Sequence, residues 1–207
     1  HVKIFKTDLQ GKCDSLVSYE KIGLTKFLTN PVLWAQGNQI TGDTIHLISN
    51  PETEQHDSLK IWNNALMVQK DSVGYSQLKG KTMLGNFEEN DLRSLNVVGN
   101  SEMVYIGRDE QNKLLGISKM QSSKNILIKL ADKQIIKVYF VEMADGKTYP
   151  PSEFAKLPEE QQLLPGFIWR ENERQLKQSD IFIHDDGEAI LNEELIDSGN
   201  EKEYIEN

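Results

Sequence analysis

One short phrase recurs along this chain and constrains its fold more than any other feature. An apolar residue is followed two positions later by a small residue, and then come a strand-like run, a polar turn and a second strand-like run. The copies begin at Leu9 and Gly11, Ile40 and Gly42, Leu78 and Gly80, and Met120 and Ser122. They recur at intervals of about 30 to 42 residues, within the range of stacked β-repeats. The sequence therefore predicts a series of similar β-units stacked on one another.

The segment from Gln77 to Ile106 has the clearest strand character. Apolar residues recur in it on strand-like spacing, and polar turns interrupt them at Glu88–Asp91 and Gly99–Asn100. No window repeats apolar residues at i, i+3, i+4 and i+7 over a useful helical length. We therefore expect a meander of short strands, each about 4 to 7 residues long, joined by tight turns.

Composition narrows the classes of function. The formal net charge is −9, and no basic stripe interleaved with aromatic residues is present, which argues against a nucleic-acid partner. No run of about 18 apolar residues occurs, so no membrane-spanning helix is expected. Cys13 is the only cysteine, so the chain has no disulfide framework.

The residues also offer no pattern for catalysis or for a bound cofactor or metal. Gly80-Lys81-Thr82 ends like a phosphate-binding loop, but Tyr75 stands where that motif needs glycine, and a strand edge is favoured. The cluster Glu88–Asp91 is interpreted as a solvated hairpin turn. The histidines lack metal-ligand spacing; they are His1, His46, His56 and His184. The chain is predicted not to be an enzyme.

A change of composition near residue 149 predicts three parts. Residues 1–148 would form the β-repeat domain, residues 149–184 a proline-containing extension, and residues 185–207 an acidic, disordered tail. Asp145-Gly146-Lys147 predicts a turn just before the boundary. In the extension, Ser152 is expected to cap one helical turn and Pro158 to begin another. Apolar side chains there predict packing against the sheet; they are Phe154, Leu157, Phe167, Ile168 and Trp169.

Three segments give the repeat a family resemblance. Gly37–Ile45, Gln77–Lys81 and Leu92–Asn100 resemble phrases of the OstA/LptA family of periplasmic lipopolysaccharide-transport proteins, and the match covers roughly residues 2–142. The resemblance implies an open jelly-roll-like β-stack whose apolar interior holds acyl chains. It also implies a periplasmic protein of the Gram-negative cell envelope, with its signal peptide removed. Its partners would be other bridge proteins, paired head to tail in a relay to the outer membrane.

The expected fold is therefore all-β. Stacked antiparallel β-repeats would form an open jelly-roll-like sandwich with an apolar interior, followed by a short, partly helical C-terminal extension. The leading functional hypothesis is a non-enzymatic carrier or bridge segment that binds lipopolysaccharide through its acyl chains. One alternative is a structural or adhesive β-repeat module with a closed core, and another is a carbohydrate-active enzyme on a β-scaffold.

The carrier hypothesis assigns lipid contacts to apolar strand residues. The predicted lipid-binding set is Ile40, Ile45, Leu47, Leu59, Ile61, Leu66, Val68, Leu78, Leu95, Val97, Ile126, Ile128, Val138 and Phe140. Lipid phosphates are expected where the apolar interior opens to solvent, which we call its mouth, near lysines such as Lys79, Lys81, Lys124 or Lys129. Because Val2–Phe5 already alternates like a strand, we expect it to pair by its edge with another copy or with upstream strands.

Overall fold

Side chains of alternating burial define the strands of this protein. In the strand Thr44–Ser49, Ile45 and Leu47 are buried, whereas Ile48 is exposed, as expected for side chains that point alternately to the two faces of a sheet. The computed structural model describes residues 1–122, 124–131, 134–142 and 144–183. The predicted Asp185–Asn207 tail lies outside the described residues.

The described part contains fifteen strands joined in one antiparallel sheet. They are β1 (Val2–Phe5), β2 (Leu9–Cys13), β3 (Ser15–Tyr19), β4 (Leu24–Leu28), β5 (Val32–Ala35), β6 (Asn38–Thr41), β7 (Thr44–Ser49), β8 (His56–Asp71), β9 (Gly74–Glu88), β10 (Asp91–Val98), β11 (Ser101–Arg108), β12 (Leu114–Ser122), β13 (Asn125–Ala131), β14 (Gln134–Val141) and β15 (Ala144–Tyr149). Two one-turn helices follow, α1 (Pro151–Phe154) and α2 (Glu159–Gln162). No helix among the described residues is long and apolar enough to cross a membrane.

The single sheet folds over on itself into two facing halves. Sheet A contains β1, β2, β5, β6, the second half of β8, the first half of β9, β11, β12 and β15. Sheet B contains β3, β4, β7, the first half of β8, the second half of β9, β10, β13 and β14. Apolar residues from both halves form one buried cluster between them. The open all-β sandwich with an apolar interior, predicted from the sequence, is confirmed.

The strands β8 and β9 pass through both sheets and form the bend between them. They contain 16 and 15 residues, so the expectation of short strands between Gln77 and Ile106 was wrong for β9. Asn63 and Asn64 adopt positive φ angles of 51° and 47° at the bend of β8. Asparagine tolerates this left-handed region better than most residues. The register with β9 shifts at the same point, which lets one continuous strand turn from one sheet into the other.

Two of the small residues of the repeated phrase, Gly42 and Gly80, lie in tight contact with neighbouring strands near this bend. A Cβ atom built on Gly42 would lie 2.4 Å from Cγ2 of Ile61, and one built on Gly80 would lie 2.5 Å from Cγ1 of Val97. Both contacted atoms belong to buried β-branched side chains, which have little rotamer freedom to move away. At these two copies of the phrase, the close approach to Ile61 and Val97 leaves no room for a side chain.

Gly80→Ala is expected to destabilise the fold by about 1–3 kcal/mol, because the added methyl overpacks the bend. Gly107→Ala is the matched control, since the nearest atom to its added Cβ is the carbonyl oxygen of Gly116 at 3.5 Å, an ordinary contact. Urea unfolding of the two variants and the wild type measures the difference. Equal stability of the two variants would contradict this account of the repeated glycine.

One turn expected from the sequence is a strand. Asp145, Gly146 and Lys147 lie in β15, which pairs with β12. Gly146 lies opposite Met120, and a Cβ there would be 2.3 Å from the methionine sulfur. The glycine thus serves close packing against the neighbouring strand, and the Asp-Gly turn signal was misleading.

Residues 151–183 form a strap across the outer face of sheet A. The strap makes hydrogen bonds with successive strands, from Lys119 on β12 through Gln77 on β9, Gln39 on β6 and Gln10 on β2 to Lys3 on β1. Helix α1 begins after Pro150, and Ser152 makes no cap; Pro158 precedes α2 as its cap residue. Phe154 is buried, whereas Ile168 is 63% exposed.

Two buried glutamines hold the strap backbone. Gln77 donates to the carbonyl of Gln162 at 3.0 Å and accepts from the amide of Leu164 at 2.7 Å. Gln39 repeats the arrangement with Ile168 and Arg170, at 2.6 Å for both bonds. Each side-chain amide thus satisfies one donor and one acceptor of a segment that has little regular structure of its own.

Gln77→Ala is expected to weaken strap docking by about 1–3 kcal/mol, because it leaves the buried amide of Leu164 without its partner. Hydrogen exchange of residues 162–170 should accelerate, while exchange of β8 and β10 stays slow. Gln121→Ala is the control, because Gln121 is exposed on β12. Unchanged exchange of the strap in Gln77→Ala would mean that the glutamine does not anchor it.

Candidate functional site

Most of the predicted lipid-binding residues meet in the cluster between the two sheets. Its buried members from the predicted set are Ile40, Ile45, Leu47, Leu59, Ile61, Leu78, Leu95, Val97, Ile126 and Ile128. Val138 and Phe140 of β14 are partly buried and pack against this cluster. The pattern of alternating apolar residues therefore located one continuous interior from both sheets. Their contact with lipid stays a prediction.

Leu66 and Val68 are buried outside that cluster. Their neighbours Ala65 and Met67 belong to the interior, so strand alternation directs Leu66 and Val68 to the opposite, outer face. Val68 pairs with Gln39 and lies beneath the strap that this glutamine holds. Their assignment to the interior therefore needs correction. Alternation from Leu59 and Ile61 already places Leu66 and Val68 on the other face, but both are apolar because that face is buried, and apolar character alone does not separate it from the interior.

A cavity of about 460 Å³ lies between the sheets, among residues of β8, β9, β10, β11, β13 and β14. Its apolar wall combines Met67 and Met103 from sheet A with Leu95, Ile128 and Leu130 from sheet B. The volume falls within the range of about 300–1,000 Å³ typical of small-molecule sites. The two methionines are flexible side chains that adapt to irregular apolar partners. Its rim is polar and includes Asp71, Arg108, Asp109, Glu110 and Asn112.

A second cavity of about 210 Å³ lies further along the same interior, between Leu33 of sheet A and Leu59 of sheet B. Gln36 lines both cavities. Its side-chain amide donates to the carbonyl of Asn90 at 2.7 Å. This bond joins the β5–β6 turn of sheet A to the β9–β10 turn of sheet B. The two sheets are thus tied together at the point between the cavities.

The rim of the larger cavity contains a tight ion pair. Arg108 donates to the two carboxylate oxygens of Asp71 at 2.6 and 2.9 Å. This hydrogen bonding lowers the pKa of Asp71 from 3.8 to about 2, against the opposing effect of its partial burial. Sequence reasoning missed the pair, because the two residues are far apart in the chain and no local pattern couples them. The lysines expected at the mouth, Lys79, Lys81, Lys124 and Lys129, are not among the residues that line either cavity.

The Asp71–Arg108 pair predicts an acid-dependent loss of stability. Because the folded pKa lies below the ordinary value of 3.8, the contribution is complete above that pH and is lost as the pH falls toward 2. The difference in unfolding free energy between the wild type and Asp71→Asn should therefore shrink over that interval. Urea unfolding at several pH values measures it. Arg108→Met should abolish the pH dependence of this difference, and its persistence there would contradict the assignment.

The remaining titratable residues that the structure describes show no arrangement for metal binding. Among the described residues, no group of three or more histidine, cysteine, aspartate or glutamate side chains is placed to hold an ion. His56 is buried beside Phe87 and contacts Ser49 Oγ at 2.9 Å, and burial lowers its pKa. Burial raises the pKa of the Cys13 thiol. These side chains serve the packing of the sheets.

A solved structure shares this architecture. The chain is similar to LptH from Pseudomonas aeruginosa, described as the LptA-homologous periplasmic component of the conserved lipopolysaccharide transport device. The TM-score is 0.53 at 14% sequence identity, over 69% of this chain and 95% of LptH. The fold is LptA-like. No protein-family model and no curated protein sequence matches the chain. At this identity the likeness concerns the fold alone.

Proposed function

We propose that this chain is a non-enzymatic carrier or bridge segment that binds lipopolysaccharide on its way to the outer membrane. The observation that carries the proposal is the 460 Å³ cavity, with apolar walls from both sheets of an LptA-like fold and a polar rim. That distribution of polarity fits an amphipathic lipid, with acyl chains between the sheets and the headgroup at the rim. Such a protein acts in the periplasm.

Acyl-chain burial supplies the binding free energy in this proposal. Each CH₂ group that enters the interior contributes about 0.8 kcal/mol. Much of the interior is filled by its own side chains, and Ile45, Ile61 and Met83 are fully buried. Long acyl chains therefore enter by separating the two sheets, beginning at the larger cavity. The Gln36–Asn90 hydrogen bond joins the two sheets beside this cavity, so it would have to break for the separation to extend further.

Edge strands provide the proposed route to partners. β1 pairs only with β2, and β14 pairs only with β13, among the described strands. Each therefore has one edge of backbone groups that a further strand can join. We propose that another bridge protein, or a second copy in head-to-tail order, adds to these edges and continues the apolar interior from one molecule to the next.

A closed structural or adhesive module is the second candidate. The well-filled part of the interior supports it, since the smaller cavity has a volume of only about 210 Å³. In such a module the apolar residues would serve folding alone. The two candidates differ in whether lipid reaches the wall of the larger cavity.

Photo-crosslinking residues at Leu95 and Ile128 are expected to capture lipopolysaccharide, because both side chains line the larger cavity. The readout is a lipopolysaccharide-positive band of reduced mobility after irradiation. The matched controls are Leu115 on β12 and Ile168 in the strap, which are 65% and 63% exposed and lie away from the interior.

Capture at the interior positions without capture at the controls supports the carrier. Capture at neither interior position in folded protein would reject it and favour the closed module. Equal capture at interior and control positions would show nonspecific lipid contact and would also count against the cavity.

A further inference from the structure

The outer face of sheet B differs from that of sheet A. Sheet A is covered by the strap, whereas sheet B exposes a group of large apolar side chains, each more than a third accessible. They are Val17, Tyr19, Ile48, Trp62, Tyr139 and Val141. Strand alternation places all six on the side away from the interior, because neighbours such as Leu16, Leu47 and Phe140 pack inward. Exposed apolar side chains spread over one face indicate a surface of interaction.

The same face is basic, although the chain as a whole has a net charge of −9. Lys26, Lys60, Lys129 and Lys137 point outward between the apolar side chains, since the residue next to each faces the interior. Strands β3, β4, β7, β13 and β14 contain no aspartate or glutamate. The acidic residues of the other sheet B segments stand near the ends of their strands; they are Asp57, Glu88 and Asp91. Between the ends of these strands, the charged side chains of the face are therefore basic.

Basic side chains are neighbours across the strands of this face. Lys129 lies directly opposite Lys137, and Lys26 and Lys60 flank His46 in one cross-strand row, where burial and the two lysines lower the pKa of the histidine. Such pairs are unfavourable when nothing compensates them. A layer of negative charge placed against the face removes this repulsion. The arrangement thus favours an anionic partner over a neutral one.

Lysines on this face stand over aromatic rings. The Nζ atom of Lys60 lies 3.5 Å from the ring centroid of Trp62, and Lys26 lies 5.1 Å from that of Tyr19. Lys137 lies 5.2 Å from the ring of Tyr139. Tryptophan and tyrosine with neighbouring lysines are the side chains that favour the boundary between lipid and water. Both cavities lie between the sheets, and neither is lined by these residues.

We propose that the outer face of sheet B docks on the surface of a membrane rich in anionic phospholipid. The lysines contact the lipid phosphates, and the aromatic and aliphatic tips enter the headgroup region. A broad face of partly exposed side chains, which lines neither of the two cavities, fits a lipid surface better than a protein partner, whose binding energy concentrates in filled pockets. The inference concerns the outside of the sandwich and is independent of what its interior holds.

The test is flotation of the full chain with vesicles of phosphatidylcholine, with and without phosphatidylglycerol, at low and high salt. The wild type should float only with the anionic vesicles, and salt should weaken the binding. Lys26→Glu with Lys60→Glu should reduce the bound fraction about tenfold. Lys113→Glu with Lys156→Glu is the control, because both lysines are exposed away from sheet B and the charge change is identical.

A second variant separates insertion of the aromatic side chain from charge. Trp62→Ala should weaken flotation while leaving its salt dependence in place, and circular dichroism checks folding of every variant. Equal loss in both double variants would show a mere effect of net charge and overturn the proposal. So would absence of wild-type flotation at low salt, or flotation that no sheet B variant changes, which would point to lipid taken into the interior. Because these vesicles contain no lipopolysaccharide, failure here leaves the crosslinking result on the interior unaffected.

Discussion

The shortage of room where the two sheets meet is the constraint on which the rest of this structure depends. Gly42 and Gly80 lie so close to Ile61 and Val97 that no side chain fits between them. Because the sheets share the strands β8 and β9, they are held close together on that side, and on the other side the Gln36–Asn90 hydrogen bond joins their turns. The apolar interior, its two cavities and the open edge all follow from this arrangement.

The sequence predicted the sandwich because alternation and small residues are local signals that repeat. It placed Leu95 and Ile128 correctly in the interior for the same reason. It misplaced Leu66 and Val68, because both are apolar and buried on the outer face of sheet A, and apolar character does not tell that face from the interior. The Asp71–Arg108 pair at the rim was beyond reach, since it depends on how distant strand ends meet. Local rules thus describe each strand, but they do not show which outer face another segment covers.

The two outer faces show how one fold treats its exposed surface in different ways. Sheet A buries three glutamines, Gln10, Gln39 and Gln77, and satisfies them with atoms of the strap. Sheet B leaves lysines and aromatic rings exposed in the corresponding layer. The strand pairing of the fold requires neither the buried glutamines of sheet A nor the exposed lysines and rings of sheet B, because strands pair through their backbones in both sheets. The difference therefore lies in the side chains of each face and in the strap that covers only one of them.

The strap has a mechanical consequence. It crosses the strands of sheet A nearly from edge to edge and is hydrogen-bonded to several of them, so sliding of one strand past the next would break those bonds. The described residues contain no such crosspiece on sheet B. We therefore expect sheet A to resist deformation more than sheet B. If the two sheets were pushed apart, sheet B would be the wall that moves first.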